Sequence, residues 1–249
     1  MATSASSPEL SPFHQKKGFY FLNFEPGSEL YTTFRAVVYQ GFHARTMRRI
    51  VAKRIRVGKK EEYVAMAENE ADILIHSPPH DNVIKIYSVI KEDVVNDISL
   101  EVLVDVYIMM EHCELGDLTK FAYIHKLDID QKVDIMLQCA LGLERLHNLS
   151  PPMIHRDIKP QNIFLRGDPA SPTAKLGDLG EAHFLQRDDE RTLSLHSTDF
   201  IGTGSYMAPE LYETDKSYTK MVDVFALGVT FISLLNAKKG EKLVAMKGN

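Results

Sequence analysis

His155-Arg156-Asp157-Ile158-Lys159-Pro160-Gln161-Asn162 gathers an imidazole, a guanidinium, a carboxylate, an ammonium and an amide into eight residues. Taken alone the stretch is a polar loop. Its neighbours at fixed intervals give it weight. Asp178-Leu179-Gly180 begins 21 residues after Asp157, Gly202-Thr203-Gly204-Ser205-Tyr206-Met207-Ala208-Pro209-Glu210 follows, and Asp223 stands 13 residues beyond Glu210.

The flanks on the two sides differ in character. C-terminal to Cys113-Glu114-Leu115-Gly116 the pattern is helical. Residues 130 to 149 place Val133, Met136, Leu137, Ala140, Leu141, Leu143 and Leu146 on one broad face, which predicts a core-facing helix with Asp130 as its N-cap. Met221 to Leu235 is apolar on nearly every side and predicts a helix surrounded by others. Toward the N-terminus, Phe19 to Phe24, Thr33 to Tyr39, Arg49 to Val57, Val83 to Ile90 and Leu100 to Met110 are short aromatic and β-branched runs separated by polar turns. Residues 59 to 76 have helical spacing and stop before Pro78-Pro79. Residues 1 to 17, rich in Ser and Pro, predict a disordered tail. A β-rich lobe joined by a short hinge to a helical lobe leaves a cleft, a usual place for a ligand.

Composition narrows the function. The chain has 249 residues, 44% of them hydrophobic, and a net charge of −5, which argues against a nucleic-acid binder acting through bulk charge. Cys113 and Cys139 form neither a disulfide framework nor a metal-finger spacing, and the default is a reducing compartment. The N-terminus has no secretory pattern, and the longest uncharged apolar run, Val224 to Leu235, is 12 residues, below the ~18 that indicate a span. His76 and His80 have i, i+4 spacing, but Pro78 and Pro79 between them break the helix that would align them on zinc. These observations predict a cytoplasmic protein with access to the nucleus.

The segment at His155 resembles the catalytic loop of eukaryotic protein kinases, and the resemblance runs from about Gly18 to Leu235. It implies that Asp178-Leu179-Gly180 is the metal-binding triplet with Leu in place of Phe, that the Gly202 to Glu210 run ends the activation segment, and that Asp223 begins the central helix. Phosphoryl transfer asks the protein for positioning and charge neutralisation rather than covalent chemistry. By resemblance, Asn162 and Asp178 supply hard oxygen ligands to Mg²⁺ on ATP. Asp157 orients the acceptor hydroxyl and takes its proton, and Lys159 and Thr203 complete the catalytic group.

Lys53 follows Val51-Ala52 in residues 45 to 60, which hold eight basic residues and no acid. A solvated strand face or a nucleic-acid patch would look similar. Beside the downstream motifs, Lys53 resembles the strand-borne lysine that holds the α/β phosphates, with Glu70 as its ion-pair partner and Glu68 as the fallback. The resemblance further implies Gly27 and Ala52 against the nucleotide, Met110 behind the adenine, the backbone of Glu111 and Cys113 on its edge, Asp117 near the ribose and Phe164 beneath the ring.

The pattern departs from the family in three places. Gly27 keeps the first position of the phosphate-covering loop, but Glu29 and Thr32 replace the second and third glycines, which predicts weakened ATP affinity. Arg156 implies control through Thr192, Ser194, Ser197 or Thr198, while Asp199 stands where relatives carry a phosphorylated residue, so a built-in mimic and a Thr198 switch both remain open. After the helix at Asp223 only Leu243, Val244 and Met246 are large and apolar, which predicts a helical lobe lacking its last helices or finished by a partner protein.

The resulting expectation is an α+β, two-lobed protein-kinase-like fold. Residues 18 to 112 form a five-stranded antiparallel N-lobe with one helix, and 113 to 249 a mainly helical C-lobe. The implied activity is Ser/Thr kinase, leaning toward the NIMA-related group, with ATP, Mg²⁺ and a protein hydroxyl as partners and neither nucleic acid nor membrane. The alternative is an inactive kinase-like interaction module.

Overall fold

The computed structural model describes residues 12–32, 36–58, 71, 74–95, 102–179, 182–184, 193–194, 203–212, 217–241 and 243. Glu68, Glu70, Thr192, Ser197, Thr198 and Asp199 lie outside them, as does most of the helix expected over residues 59 to 76; of that helix, Ala71 and residues 74–76 are helical. The chain divides into two compact units, residues 1–78 with 85–112, and residues 79–84 with 113–249.

The described strands of the first unit form one antiparallel sheet. Its strands are β1 (His14–Lys17), β2 (Tyr20–Asn23), β3 (Tyr31–Thr32), β4 (Ala36–His43), β5 (Arg49–Gly58), β6 (Ile86–Val95) and β7 (Val102–Glu111), in the order β1-β2-β4-β5-β7-β6, with β3 paired to β4. The five expected strands are all there, shifted by a few residues. β1 corrects the sequence reading, which gave its residues to a disordered tail. Lys17 pairs with Tyr20 around a two-residue turn whose first residue, Gly18, has φ +56°, so the glycine turns a hairpin rather than opening a domain. An ion pair from Lys17 to Glu92 ties β1 to β6, the two ends of the strand order, so the sheet curls until its edges meet.

Alternation along β5 sets two faces. Ile50 and Ala52 join Tyr20, Leu22, Tyr107 and Met109 in the core inside the curl. Lys53, opposite Ile108 in register, points to the other face, where Val57, Val89, Val104, Val106 and Ile108 cluster.

Among the described residues the second unit has three α-helices, α1 (Leu118–Ile124), α2 (Ile129–His147) and α3 (Met221–Leu235), with short strands that include β8 (Gly116–Asp117), β9 (Met153–Ile154), β10 (Ile163–Asp168), β11 (Ser171–Leu176) and β12 (His183–Phe184). α2 is capped by Asp128, not Asp130. The Asp128 carboxylate accepts the Gln131 N–H and the Gln131 side chain accepts the Asp128 N–H, a reciprocal box that Asp130, inside the first turn, cannot make. The buried face of α2 also differs from expectation: Ile135, Cys139, Leu143 and Leu146 are buried, whereas Val133, Leu137 and Leu141 are exposed. On α3, Leu227 and Leu234 are buried while Val224, Phe225, Ile232 and Leu235 face solvent, so the helix expected to be enclosed is covered on one side. No described helix is long and apolar enough to cross a membrane.

Asn82 fastens its segment to this unit. Its Nδ2 donates to Ala174 O at 2.9 Å and Gln138 Oε1 at 3.1 Å, and its backbone O accepts the Leu176 N–H at 2.9 Å.

Candidate active site

The β10–β11 hairpin pairs Ile163 with Leu176, so the residues just outside the paired ends, Asn162 and Gly177, are brought side by side. The Gly177 N–H donates to Asn162 O at 2.9 Å. Asp178 therefore leaves β11 next to Asn162, although 16 residues separate them in sequence. At the same hairpin, β8 pairs with β10, which sets Asp117 opposite Phe164. A Cβ on Gly177 would lie 2.8 Å from the Phe164 ring, so only glycine lets that ring cover the chain there.

Asp157 is held from three directions. Lys159 Nζ donates to Oδ2 at 2.6 Å, Asn162 Nδ2 to Oδ2 at 2.8 Å and to the backbone O at 2.7 Å, and Thr203 Oγ1 to Oδ1 at 3.0 Å. Lys159 Nζ also donates to Thr203 Oγ1 at 2.8 Å, which closes a ring of three side chains. Charge-assisted bonds of this kind fix a carboxylate's orientation as well as its charge.

The loop is anchored from below. His155 is fully buried; its Nδ1 accepts the Asp157 N–H at 3.4 Å, so Nε2 carries the hydrogen and donates to Gly177 O at 3.0 Å. Arg156 (φ +65°) and Asp178 (φ +55°) both adopt the left-handed region, which costs a non-glycine residue about 1–3 kcal/mol. Asp223, 1% exposed on α3, receives the His155 and Arg156 N–H groups at 2.8 Å each and pairs with His147 Nε2 at 2.8 Å. Sequence reasoning placed Asp223 only as the start of a helix and passed over His147. The available signal was a single acid in the first turn of an otherwise apolar helix.

Other sequence-predicted residues fall as follows. Ala52 is corrected: it is fully buried in the core inside the curl, and Val51, two residues from Lys53, shares the lysine's face. Asp117 acts as the N-cap of α1, accepting the Lys120 N–H at 3.0 Å. Glu111 is buried; its N–H donates to Lys85 O at 3.0 Å and its carboxylate accepts the Lys85 N–H at 2.7 Å. Met110 is the residue of β7 paired with Val51, and Cys113 is buried. Pro26-Gly27 forms a tight turn, with Gly27 at φ +83° and the Ser28 N–H donated to Glu25 O at 3.0 Å. The Glu29 carboxylate folds back to accept the Gly27 N–H at 2.9 Å. Burial raises the Tyr39 phenol above its ordinary range, with Arg54 opposing and the Glu29 charge adding to it, and Tyr39 lies on the face of the sheet away from Lys53.

A family model described as the protein kinase domain matches residues 34–242. The serine/threonine-protein kinase atg1 of Dictyostelium discoideum is 32% identical over 204 residues, 80% of this chain and 28% of the relative. A probable serine/threonine-protein kinase of Arabidopsis thaliana, WNK10, is 32% identical over 166 residues, covering 66% of this chain and 28% of its own length. Mouse serine/threonine-protein kinase Nek1 is 38% identical over 144 residues, 57% of this chain and 11% of the relative. The chain thus spans little more than a quarter of these curated relatives at most.

Proposed function

Because this chain belongs to the protein kinase domain family, we propose that it transfers the γ-phosphoryl group of ATP to serine or threonine hydroxyls of proteins. The observation that carries this reading is the carboxylate of Asp157, oriented by Lys159, Asn162 and Thr203. The acceptor hydroxyl hydrogen-bonds to Asp157. As its oxygen attacks phosphorus in line, the bond from phosphorus to the ADP oxygen breaks, and the hydroxyl proton passes to the carboxylate. Lys159 offsets charge on the moving group.

Asn162 and Asp178 fit a magnesium ion by donor chemistry. The Nδ2 of Asn162 is committed to Asp157, which turns its amide oxygen away as a ligand atom, and Asp178 adds a carboxylate beside it. Two hard oxygens with phosphates and waters completing the shell suit Mg²⁺, which when bound neutralises phosphate charge. Lys53, with Val51 on its face, holds the α/β phosphates, and Phe164 with Asp117 receives the nucleoside. The Glu111 N–H is committed to Lys85, so the base edge is met by other backbone atoms. The Glu29 carboxylate occupies the Gly27 N–H, so that amide meets a phosphate only when Glu29 swings away, in keeping with a weakened affinity for ATP.

The test is labelled-phosphate transfer by the purified chain to a protein acceptor rich in exposed serine and threonine. Asp157→Asn should lower turnover by ~10²–10⁴-fold, the share carried by general acid–base assistance, with ATP-induced thermal stabilisation retained. Transfer at the unsubstituted rate would refute the assignment, and absence of both transfer and ATP stabilisation in the unsubstituted chain would favour an interaction module.

A further inference from the structure

We propose that the cavity between the end of α1 and the segment after α3 binds a phosphomonoester presented on a serine or threonine side chain. The cavity measures about 180 Å³ and lies in the second unit, apart from the residues around Asp157. Four of its lining residues, His125, Lys126, Lys238 and Lys239, are basic, and none is acidic. Ala122, Leu127 and Ala237 supply the rest of the lining.

A further positive charge stands just behind this wall. Lys132 on α2 is 8% exposed, and its Nζ donates to Leu235 O at 3.0 Å and Ala237 O at 2.9 Å. Among the described residues no carboxylate comes within ion-pairing distance of it, so its buried charge is met by carbonyl dipoles alone and adds to the potential of the cavity. Glu241 is exposed and 3.9 Å from Lys238, a contact that an incoming anion readily exchanges. Asp128 is occupied in the cap of α2.

The walls are fixed before any ligand arrives. The Gly240 N–H donates to Tyr123 O at 3.0 Å, stapling the segment after α3 to α1, and the His125 ring lies 4.4 Å from that of buried Phe121. A preformed pocket spares the ordering cost of binding. Lysines on two chain segments, Lys126 and the pair Lys238-Lys239, suit a group that carries about −1.5 to −2 charges and three acceptor oxygens at pH 7 better than a monovalent carboxylate. At about 30 Å³ per water molecule, the cavity has room for a phosphoryl group and the carbon atoms that carry it. The apolar lining suits those carbons.

The inference concerns binding only and stands apart from the catalytic reading. The experiment titrates the full chain with N-acetyl-phosphoserine methylamide, N-acetyl-serine methylamide and inorganic phosphate, followed by calorimetry and by amide shifts of Ala122, His125 and Leu127. The phosphorylated compound should saturate those shifts and bind at least ~10-fold tighter than either control, the discrimination of one charge-assisted contact. Lys238→Gln with Lys239→Gln, both exposed, should weaken it at least ~10-fold with an unchanged circular dichroism spectrum. Inorganic phosphate binding equally well would overturn the peptide-borne source. Shifts elsewhere, or affinity indifferent to the two lysines, would overturn the site.

Discussion

Asp223 Oδ1 accepts the backbone N–H of Arg156 at 2.8 Å, a bond that reaches across 67 residues of chain. Its partner oxygen takes the His155 N–H, so one carboxylate on α3 sets two successive peptides of the loop and holds Arg156 in the left-handed region. Asp223→Ala leaves these donors and His147 buried without an acceptor. Removing one member of a buried charged network costs about 3–5 kcal/mol. Urea denaturation should show that loss, and phosphate transfer should fall under conditions where the variant is still folded. A variant as stable as the parent would show that the loop is anchored otherwise.

Thr203 donates to Asp157 Oδ1 and accepts from Lys159, so it controls where the carboxylate points. Thr203→Val removes both bonds at nearly constant volume, whereas Thr203→Ser keeps them. A hydrogen bond to a charged group is worth about 1.5–3 kcal/mol, or roughly 10–100-fold in rate. Steady-state kinetics should place the Val loss in kcat, with KM for ATP within about threefold and the Ser variant near the parent. A loss confined to KM would make Thr203 a binding residue.

The loop at His155 and the helix at Asp223 were legible because their residue types and intervals are local facts of the chain. What escaped reading depends on register or on contacts between distant segments. Ala52 and Lys53 are adjacent in sequence, yet a strand's two-residue period sends them to opposite faces, so Val51 rather than Ala52 accompanies the lysine. Residues 14–17 carry no apolar alternation, and their strand comes from pairing to β2 and an ion pair to β6. Asp128 and Asp130 are equally good caps by type, and only the reach of Gln131 back to residue 128 decides between them. Asn82 bridges α2 and β11 through contacts that no local pattern announces.

Gly142 on α2 meets the backbone of Asn82. A Cβ there would stand 2.3 Å from Asn82 O and 3.1 Å from its carbonyl carbon. Alanine is favoured over glycine by about 1 kcal/mol in a helix, but displacing the Asn82 backbone costs about 1–3 kcal/mol of overpacking and strains its bonds to Ala174 and Leu176. Gly142→Ala should therefore lower the melting temperature despite its better helix propensity. An increase would mean that Asn82 yields freely.

Burial pushes the Cys139 thiol up to about 12. At pH 8 it is then un-ionised and shielded, and the thiolate is the reactive form. In a Cys113→Ser background, a disulfide reagent at pH 8 should label Cys139 only at the rate of unfolding, and urea above the transition should release it. Stoichiometric labelling within minutes in native buffer would contradict the packing of α2.

Tyr107 sits in the core inside the curled sheet, and burial, followed by the charges of Asp105 and Glu92, raises its phenol to about 12, with Arg54 opposing. An unfolded chain ionises this group near pH 10.0, the ordinary value of a phenol, so above that pH the unfolded state loses protons that the native state keeps. Stability is accordingly full below pH 10 and declines as pH climbs from 10 toward 12. Tyr39 and Tyr206 are raised in the same direction by burial and share in the slope. Urea midpoints measured at pH 8, 10 and 11 should fall over the last two steps, and Tyr107→Phe, which removes one of the three phenols, should flatten that fall without abolishing it. A phenolate absorbance that develops fully by pH 10.5 in the native protein would place Tyr107 in water and dismantle the closed sheet argued from Lys17 and Glu92.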